Sequence, residues 1–187
     1  MKEMFIPDTI TYDGTQLSSH WAYRNYGVLG DSILCFQGPC RVALPEMVDL
    51  QDVLGNSPIY SEQMLHFIAE HFDLDLETTI LRQRLLIATL KDLVAERCEA
   101  RIRRSGDDLF VGERKLTVSI ATLTPVSTMI HTGINVTGKN APVPAIGLAE
   151  LGLIETGITE VGQALCRAYA QEYEQIKLAR CKVRGTI

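Results

Sequence analysis

Residues 106–137 restrict this chain more than any other stretch. Gly106-Asp107-Asp108-Leu109-Phe110-Val111-Gly112-Glu113-Arg114-Lys115-Leu116, followed by 117–136, reads as strand, tight turn, strand, second turn, strand. The turn Val111-Gly112-Glu113-Arg114 delivers Lys115 onto the head of an apolar strand. Two readings of Lys115 stand at this point. It points outward beside the turn, as most lysines do. Or it points inward, where the cost of burying an ammonium is met by an anionic or polarised ligand group.

The rest of the pattern predicts an α+β chain. Short strands are expected at Met4–Ile6 and Ile33–Phe36, the second broken by Gly38-Pro39. A helix is expected over Leu17–Tyr26, begun near Ser18 or Ser19 and ended by Gly27. Residues 41–60 read as irregular, punctuated by Pro45, Gly55 and Pro58. Ser61 is expected to cap a helix to about Phe72 that buries Met64, Leu65, Phe67 and Ile68, and a longer helix follows over Leu76–Arg97. In the latter, Ile80, Leu81, Leu85, Leu90, Leu93 and Val94 recur at helical spacing. Strands follow at about 99–104, 107–111, 114–123 and 127–137, with a turn at Thr124-Pro125 and a loop over 139–144. A last helix is expected over Thr159–Leu178, with Gly162 as a weak point inside it. The economical architecture is one domain over residues 1–187. It has a mixed, mainly antiparallel sheet and helices packed on one face.

Composition narrows the partners. Hydrophobic residues make up 46% and charged residues 22%, enough to build a core. The net charge of −5 argues against general nucleic-acid binding, which needs a basic face. Arg101, Arg103 and Arg104 read as a solvated strand edge rather than a phosphate track. No charged-then-apolar leader and no bilayer-length apolar run is present. Five cysteines, at 35, 40, 98, 166 and 181, form no regular framework. The chain therefore reads as cytoplasmic, with reduced thiols and no membrane partner. Cys98 and Cys166 fall in helical patterns as small buried hydrophobes.

Four constellations are candidates for chemistry. His66-Phe67-Ile68-Ala69-Glu70-His71 lacks zinc-protease spacing, because helical residues five apart lie about 140° apart around the axis. A His66–Glu70 contact is the simpler expectation, and no metal site is assigned. Cys35 and Cys40 are not a redox pair. They read as a buried thiol and a turn thiol, or as a nucleophile activated by His20, His66, His71 or His131. Arg24 and Asn25 could line a pocket with Asp31, or simply lie on a helix packed against a sheet. Gly133, inside the strand His131–Val136, marks either close approach by a ligand, with Asn135 presenting its amide, or a bulge.

The segment Asp107-Asp108-Leu109-Phe110-Val111 through Arg114-Lys115-Leu116, then Ser119-Ile120-Ala121, resembles the lipoate ligase segment that carries the catalytic lysine. Gly133-Ile134-Asn135-Val136 is similar to the Gly-Ile-Asn-Val strand of biotin protein ligases. The two cover about a sixth of the chain. The whole chain, through His20-Trp21-Ala22-Tyr23, Gly30-Asp31-Ser32 and Gly38-Pro39-Cys40, is identified as a member of the prokaryotic domain-of-unknown-function family 366. That family is associated with the same biotin/lipoate ligase and class II synthetase fold.

The resemblance implies that Lys115 touches the acyl carbonyl and phosphate of an acyl-adenylate, and that Asn135 lies near the nucleotide. It implies ATP and Mg2+ as cofactors and a carboxylated small molecule as ligand, held in an apolar pocket floored by the sheet. Arg24, Asp31, Gly38, Cys40, His131 and Gly133 join Asn135 as binding candidates, and an acceptor protein is the implied partner. The basic, glycine-rich loop of such ligases has no counterpart here, since residues 38–60 supply only Gly38, Arg41 and Gly55. An ATP-independent acyltransferase or hydrolase using a cysteine, and a non-catalytic ligand- or protein-binding module, therefore stay open beside the ligase. A homodimer formed by pairing of exposed sheet edges is also open to such a chain.

Overall fold

The computed structural model describes residues 1–55 and 59–185. Among the described residues eight strands run in the chain order β1 (Lys2–Thr9), β2 (Ser32–Val42), β3 (Ile59–His71), β4 (Ile102–Ser105), β5 (Asp108–Val111), β6 (Arg114–Lys115), β7 (Thr117–Leu123) and β8 (Thr128–Asn135). The helices are α1 (Trp21–Tyr26), α2 (Leu50–Leu54), α3 (Leu76–Ala95) and α4 (Glu155–Arg180). The main sheet has the order β1-β2-β3-β8-β7, and β4-β5-β6 form a second, small sheet. Among the pairings of the described strands only β1–β2 is parallel. The fold is therefore α+β with a mixed, mainly antiparallel sheet.

The helix expected over Ser61–Phe72 is instead the central strand β3. It pairs antiparallel with β2 on one side and β8 on the other. Both of its faces are buried, so its sequence lacks the alternation that marks a half-exposed strand. Leu65, Phe67 and Ala69 join the core under α3 and α4. Met64 and Ile68 join a second cluster with Tyr12, Trp21, Phe36 and Met129. That second face is covered by the chain between β1 and β2, which includes α1.

Several expected boundaries move for identifiable reasons. β2 runs on through Gly38-Pro39, because the register shifts between Gly38 and Cys40 and a bulge tolerates the missing proline N–H. Cys40 is consequently a buried strand residue and not a turn thiol. The expected strand 114–123 divides at Leu116. β6 belongs to the small sheet and β7 to the main one. β8 carries no register shift at Gly133, so that glycine marks no bulge. α1 starts only at Trp21, with His20 in the left-handed region (φ 62) and no side-chain cap, while Gly27 closes it as expected (φ 67). Residues 44–46 and α2 form short helices where none was expected, and Pro58 lies outside the described residues.

α3 begins one residue after Asp75, whose side chain accepts from the Thr78 N–H at 3.0 Å. Asp75→Ala is expected to cost about 1 kcal/mol of stability by urea denaturation. An unchanged midpoint would show the cap to be idle. The stripe that α3 buries is Thr79, Gln83, Leu86, Ile87, Leu90 and Val94, rotated from the apolar set read from the sequence. Leu81 is left 64% exposed. In α4 the expected weak point, Gly162, is a packing device. A Cβ there would lie 2.8 Å from Cys35 Sγ and 3.2 Å from Leu65, so its absence lets α4 lie close on the sheet. Cys166 is buried on α4, whereas Cys98 is half-buried beyond the end of α3.

Candidate functional site

The division at Leu116 puts Lys115 at the junction of the two sheets. Its backbone is held from two sides. Phe110 of β5 pairs with it, and residues 144–146 run alongside, with Lys115 N–H donating to Pro144 O at 2.8 Å and Ile146 N–H donating to Lys115 O at 3.0 Å. Its side chain is neither fully outward nor buried. Nζ lies 2.8 Å from Asp108 Oδ2, with the lysine side chain 32% and the aspartate side chain 20% exposed. Asp108 sits two residues from Phe110 on β5, which makes it the same-face diagonal neighbour of Lys115 across the hairpin. Burial pushes the Asp108 carboxyl above its ordinary range, against the opposing pull of Lys115. The other carboxylate oxygen, Oδ1, is buried with no hydrogen-bond partner among the described residues, and after Lys115 the Thr117 side chain also favours the ionised carboxyl. α2 stands close enough that the Lys115 charge acts on Asp52, whose carboxyl burial and Asp49 push upward.

Asn135 stiffens this corner. Its side-chain amide donates to Lys115 O and to Ile146 O, both at 3.3 Å, and its own N–H donates to Leu116 O at 2.9 Å. From Asn135, alternation places Gly133 and His131 on the same face of β8. A Cβ on Gly133 would lie 2.8 Å from the Met64 methyl and 3.3 Å from Val118, so the close approach at this position is made by side chains.

His131 leads to a buried polar pair. His66 Nδ1 and His131 Nε2 are 3.1 Å apart, and His66 Nε2 is 3.2 Å from Gly38 O. A carbonyl can only accept, so His66 carries its proton on Nε2 and neutral His66 accepts from His131 Nε2–H. Tyr12 stacks on His131 with ring centroids 3.6 Å apart. Burial pushes His66 down to about 3 and His131 well below the ordinary histidine range. His66 therefore stabilises the fold fully above pH 6.5 and loses that contribution as pH falls toward 3, because only the unfolded chain takes up the proton. Between pH 6.5 and 5 the loss is about 2 kcal/mol. Urea midpoints at pH 7 and pH 5 test this, and equal midpoints would refute it.

The expected His66–Glu70 contact does not form. Glu70 accepts from the backbone N–H of His20 at 2.8 Å and from Ser127 Oγ at 2.7 Å. His71 faces the opposite side of the sheet and meets Tyr169. Cys35 is sealed beside Cys166, and burial raises its thiol well above the ordinary value. Burial pushes Cys40 up to about 12.

The structure therefore groups Gly38, Cys40, His131 and Gly133 around Tyr12 and His66, with Asn135 linking that face to Lys115. Arg24 and Asp31 lie apart from this group and from each other. Arg24 bonds Ser18 Oγ at 2.7 Å. Asp31 accepts from Phe72 N–H at 2.9 Å and Tyr173 O–H at 2.6 Å. Sequence reading did not single out Tyr12 or pair Asp108 with Lys115. Tyr12 offered no signal, since it acts from a loop, but the diagonal position of Asp108 followed from the hairpin already recognised.

A family described as "Domain of unknown function (DUF366)" matches residues 1–184. An uncharacterized protein of Methanocaldococcus jannaschii is 38% identical over 183 residues, covering 95% of this chain and 81% of its own. A protein of unknown function from Pyrococcus horikoshi has a solved structure with TM-score 0.92, 40% identity and full coverage of both chains. A lipoate-protein ligase A bound with ATP matches with TM-score 0.58 and 12% identity, over 91% of this chain and 86% of that one. A biotin protein ligase of Aquifex aeolicus, in complex with biotin and ATP, matches with TM-score 0.56 and 15% identity, over 93% of this chain and 72% of that one. At such identity the two ligases establish a shared fold. Among the described residues no helix is long and apolar enough to cross a membrane.

Proposed function

The chain belongs to the DUF366 family, and on that premise we propose that it binds a carboxylated small molecule at the Lys115 corner and joins it to, or transfers it from, adenylate. The observation that carries this reading is the half-exposed Lys115–Asp108 pair with its orphaned, buried Asp108 Oδ1. A buried acceptor left unpaired is costly, so such a group in a native fold calls for an explanation. A ligand hydroxyl or a hydrated magnesium ion would satisfy it. Lys115 would then be free to hold the oxygen on which charge develops as a carboxylate attacks the α-phosphate of ATP.

At this corner Lys115 and Asp108 are the groups that would meet magnesium-ATP. Lys115 would take a phosphate or acyl oxygen, Asp108 the metal-bound water or ribose, and Asn135 would keep the strand carrying Lys115 in place. ATP supplies the adenylyl group: the acid oxygen bonds to the α-phosphorus and pyrophosphate leaves. The ligase-like fold and the ATP-bound lipoate-protein ligase structure support this choice of cofactor. Burial of Cys35 and Cys40 argues against a cysteine route, because thioester formation needs an accessible thiolate. An acceptor protein would be the destination of the acyl group.

Exchange of labelled pyrophosphate into ATP, driven by added octanoate, lipoate or biotin, tests the reading. Acid-dependent exchange that drops about 100-fold or more in Lys115→Ala is the expected result. Absence of exchange with every acid would leave binding without adenylation and remove the catalytic half of the reading.

A further inference from the structure

We propose that the cleft between α3 and the C-terminal half of α4, on the opposite side of the sheet from Tyr12 and His131, binds a small amphipathic anion. The occupant is a carboxylate or sulfonate on an alkyl or aromatic body.

The cleft encloses about 360 Å3, within the range that small ligands occupy. Its walls are apolar: Leu81 and Leu85 from α3, Tyr169, Tyr173 and Ile176 from α4. Their existence follows from the rotated stripe on α3. The residues that seal against the sheet are Thr79, Gln83, Leu86 and Ile87, which leaves Leu81 and Leu85 to line a surface that no described element covers. Leu81 is 64% and Ile176 46% exposed, an arrangement that costs hydration free energy while the cleft is empty.

The mouth carries the sign of the ligand. Arg82, Lys177 and Arg180 surround it. Arg82 is paired with Asp73 at 2.7 Å and Lys177 with Asp31 at 3.4 Å. Arg180 has no acidic partner among the described residues, so this spot is positive on a chain of net charge −5. Lys177 also lies 4.2 Å from the Tyr173 ring centroid, which holds its ammonium over the aromatic wall.

Behind the Tyr169 wall lies a buried histidine. His71 is fully buried, with Nε2 2.9 Å from Tyr169 O–H and Nδ1 without any partner. If Tyr169 donated to His71, Nδ1 would carry a buried proton with nothing to accept it. In the reverse arrangement His71 Nε2–H donates to Tyr169, and the Tyr169 O–H and the Nδ1 lone pair both go unmet. The Asp31 carboxylate, by accepting from Tyr173 O–H at 2.6 Å, fixes the other tyrosine.

The test is displacement of anilinonaphthalene sulfonate fluorescence by octanoate, with octylamine as the cationic control. One saturable site is expected, emptied by octanoate at concentrations where octylamine leaves it filled. Arg180→Glu and Ile176→Glu change exposed positions, and each is expected to weaken octanoate about tenfold, the scale of one charge-assisted contact. Lys115→Ala should leave this binding unchanged, so the outcome is independent of the adenylation reading. Equal displacement by octylamine, or unaltered binding in both α4 variants with native circular dichroism, would overturn the proposal. A dimer in sedimentation that Ile176→Glu splits, with no probe binding, would also overturn it, because the cleft would then be an interface between copies.

Discussion

Gly38→Ala is expected to lower stability by about 3 kcal/mol, at the upper end of the cost of overpacking. A Cβ at this position would stand 1.9 Å from Ile10 O and 2.6 Å from Ile10 C, both backbone atoms. The segment they belong to cannot retreat. Ile10 N–H donates to Gln37 O and Tyr12 N–H to Pro39 O, each at 2.9 Å, so the chain is laced to β2 on both sides of the glycine. Moving it would also lift Tyr12 from His131 and disturb Gly38 O, the acceptor for His66. For a chain of this size the shift in melting temperature would be roughly 6–12 °C. Gly133→Ala is the informative contrast. There the Cβ meets the flexible end of Met64, and the cost should be nearer 1 kcal/mol. Urea denaturation of both variants checks the pair. A Gly38→Ala protein as stable as the wild type would mean that segment 10–12 does not lie against β2.

Phe67→Ala is expected to cost about 4 kcal/mol, in the range for emptying a buried aromatic position. Phe67 is fully buried at the middle of β3, between its partners Cys35 on β2 and Thr132 on β8. Its ring enters the core beneath α3 and α4 alongside Leu65 and Leu90. The neighbours belong to two sheet strands and two helices, so collapse of the site is limited and most of the cavity should persist. The measurement is again the urea midpoint, with the slope held constant to exclude a changed unfolded state. A loss under about 1 kcal/mol would contradict the central place of β3.

The same strand shows where sequence reading stopped. β3 reads as a helix in sequence because alternation disappears when both faces are buried, and the run Met64–Ala69 is apolar except at His66. The hairpin 108–115 and the strand after it were legible for the opposite reason. Gly106 (φ +64) and Gly112 (φ +60) occupy positive-φ turn positions that announce themselves in sequence. The helix expected over Thr159–Leu178 falls inside α4, whose buried positions Ile158, Val161, Leu165, Tyr169 and Tyr173 recur at helical spacing. The functional corner was half legible. Lys115 and Asn135 came from pattern and resemblance, and Asp108 was available from the hairpin register. Tyr12 and the His66–His131 contact depend on pairings 65 or more residues apart or on loop placement, which local pattern does not encode. Asp31 was drawn toward Arg24 by proximity in sequence, whereas the fold sends it to α4.

The lysine corner is where fold and chemistry meet. Two sheets join at Leu116, Asn135 clamps the joint, and a partly exposed cation is paired there with a largely buried carboxylate. Calorimetric titration of magnesium-ATP into the wild type and into Lys115→Ala tests that corner most directly. Saturable binding to the wild type, weakened about tenfold or more in the variant while its melting temperature holds, is the expected result. Undetectable binding to the wild type, or equal binding to both proteins, would contradict a nucleotide at Lys115.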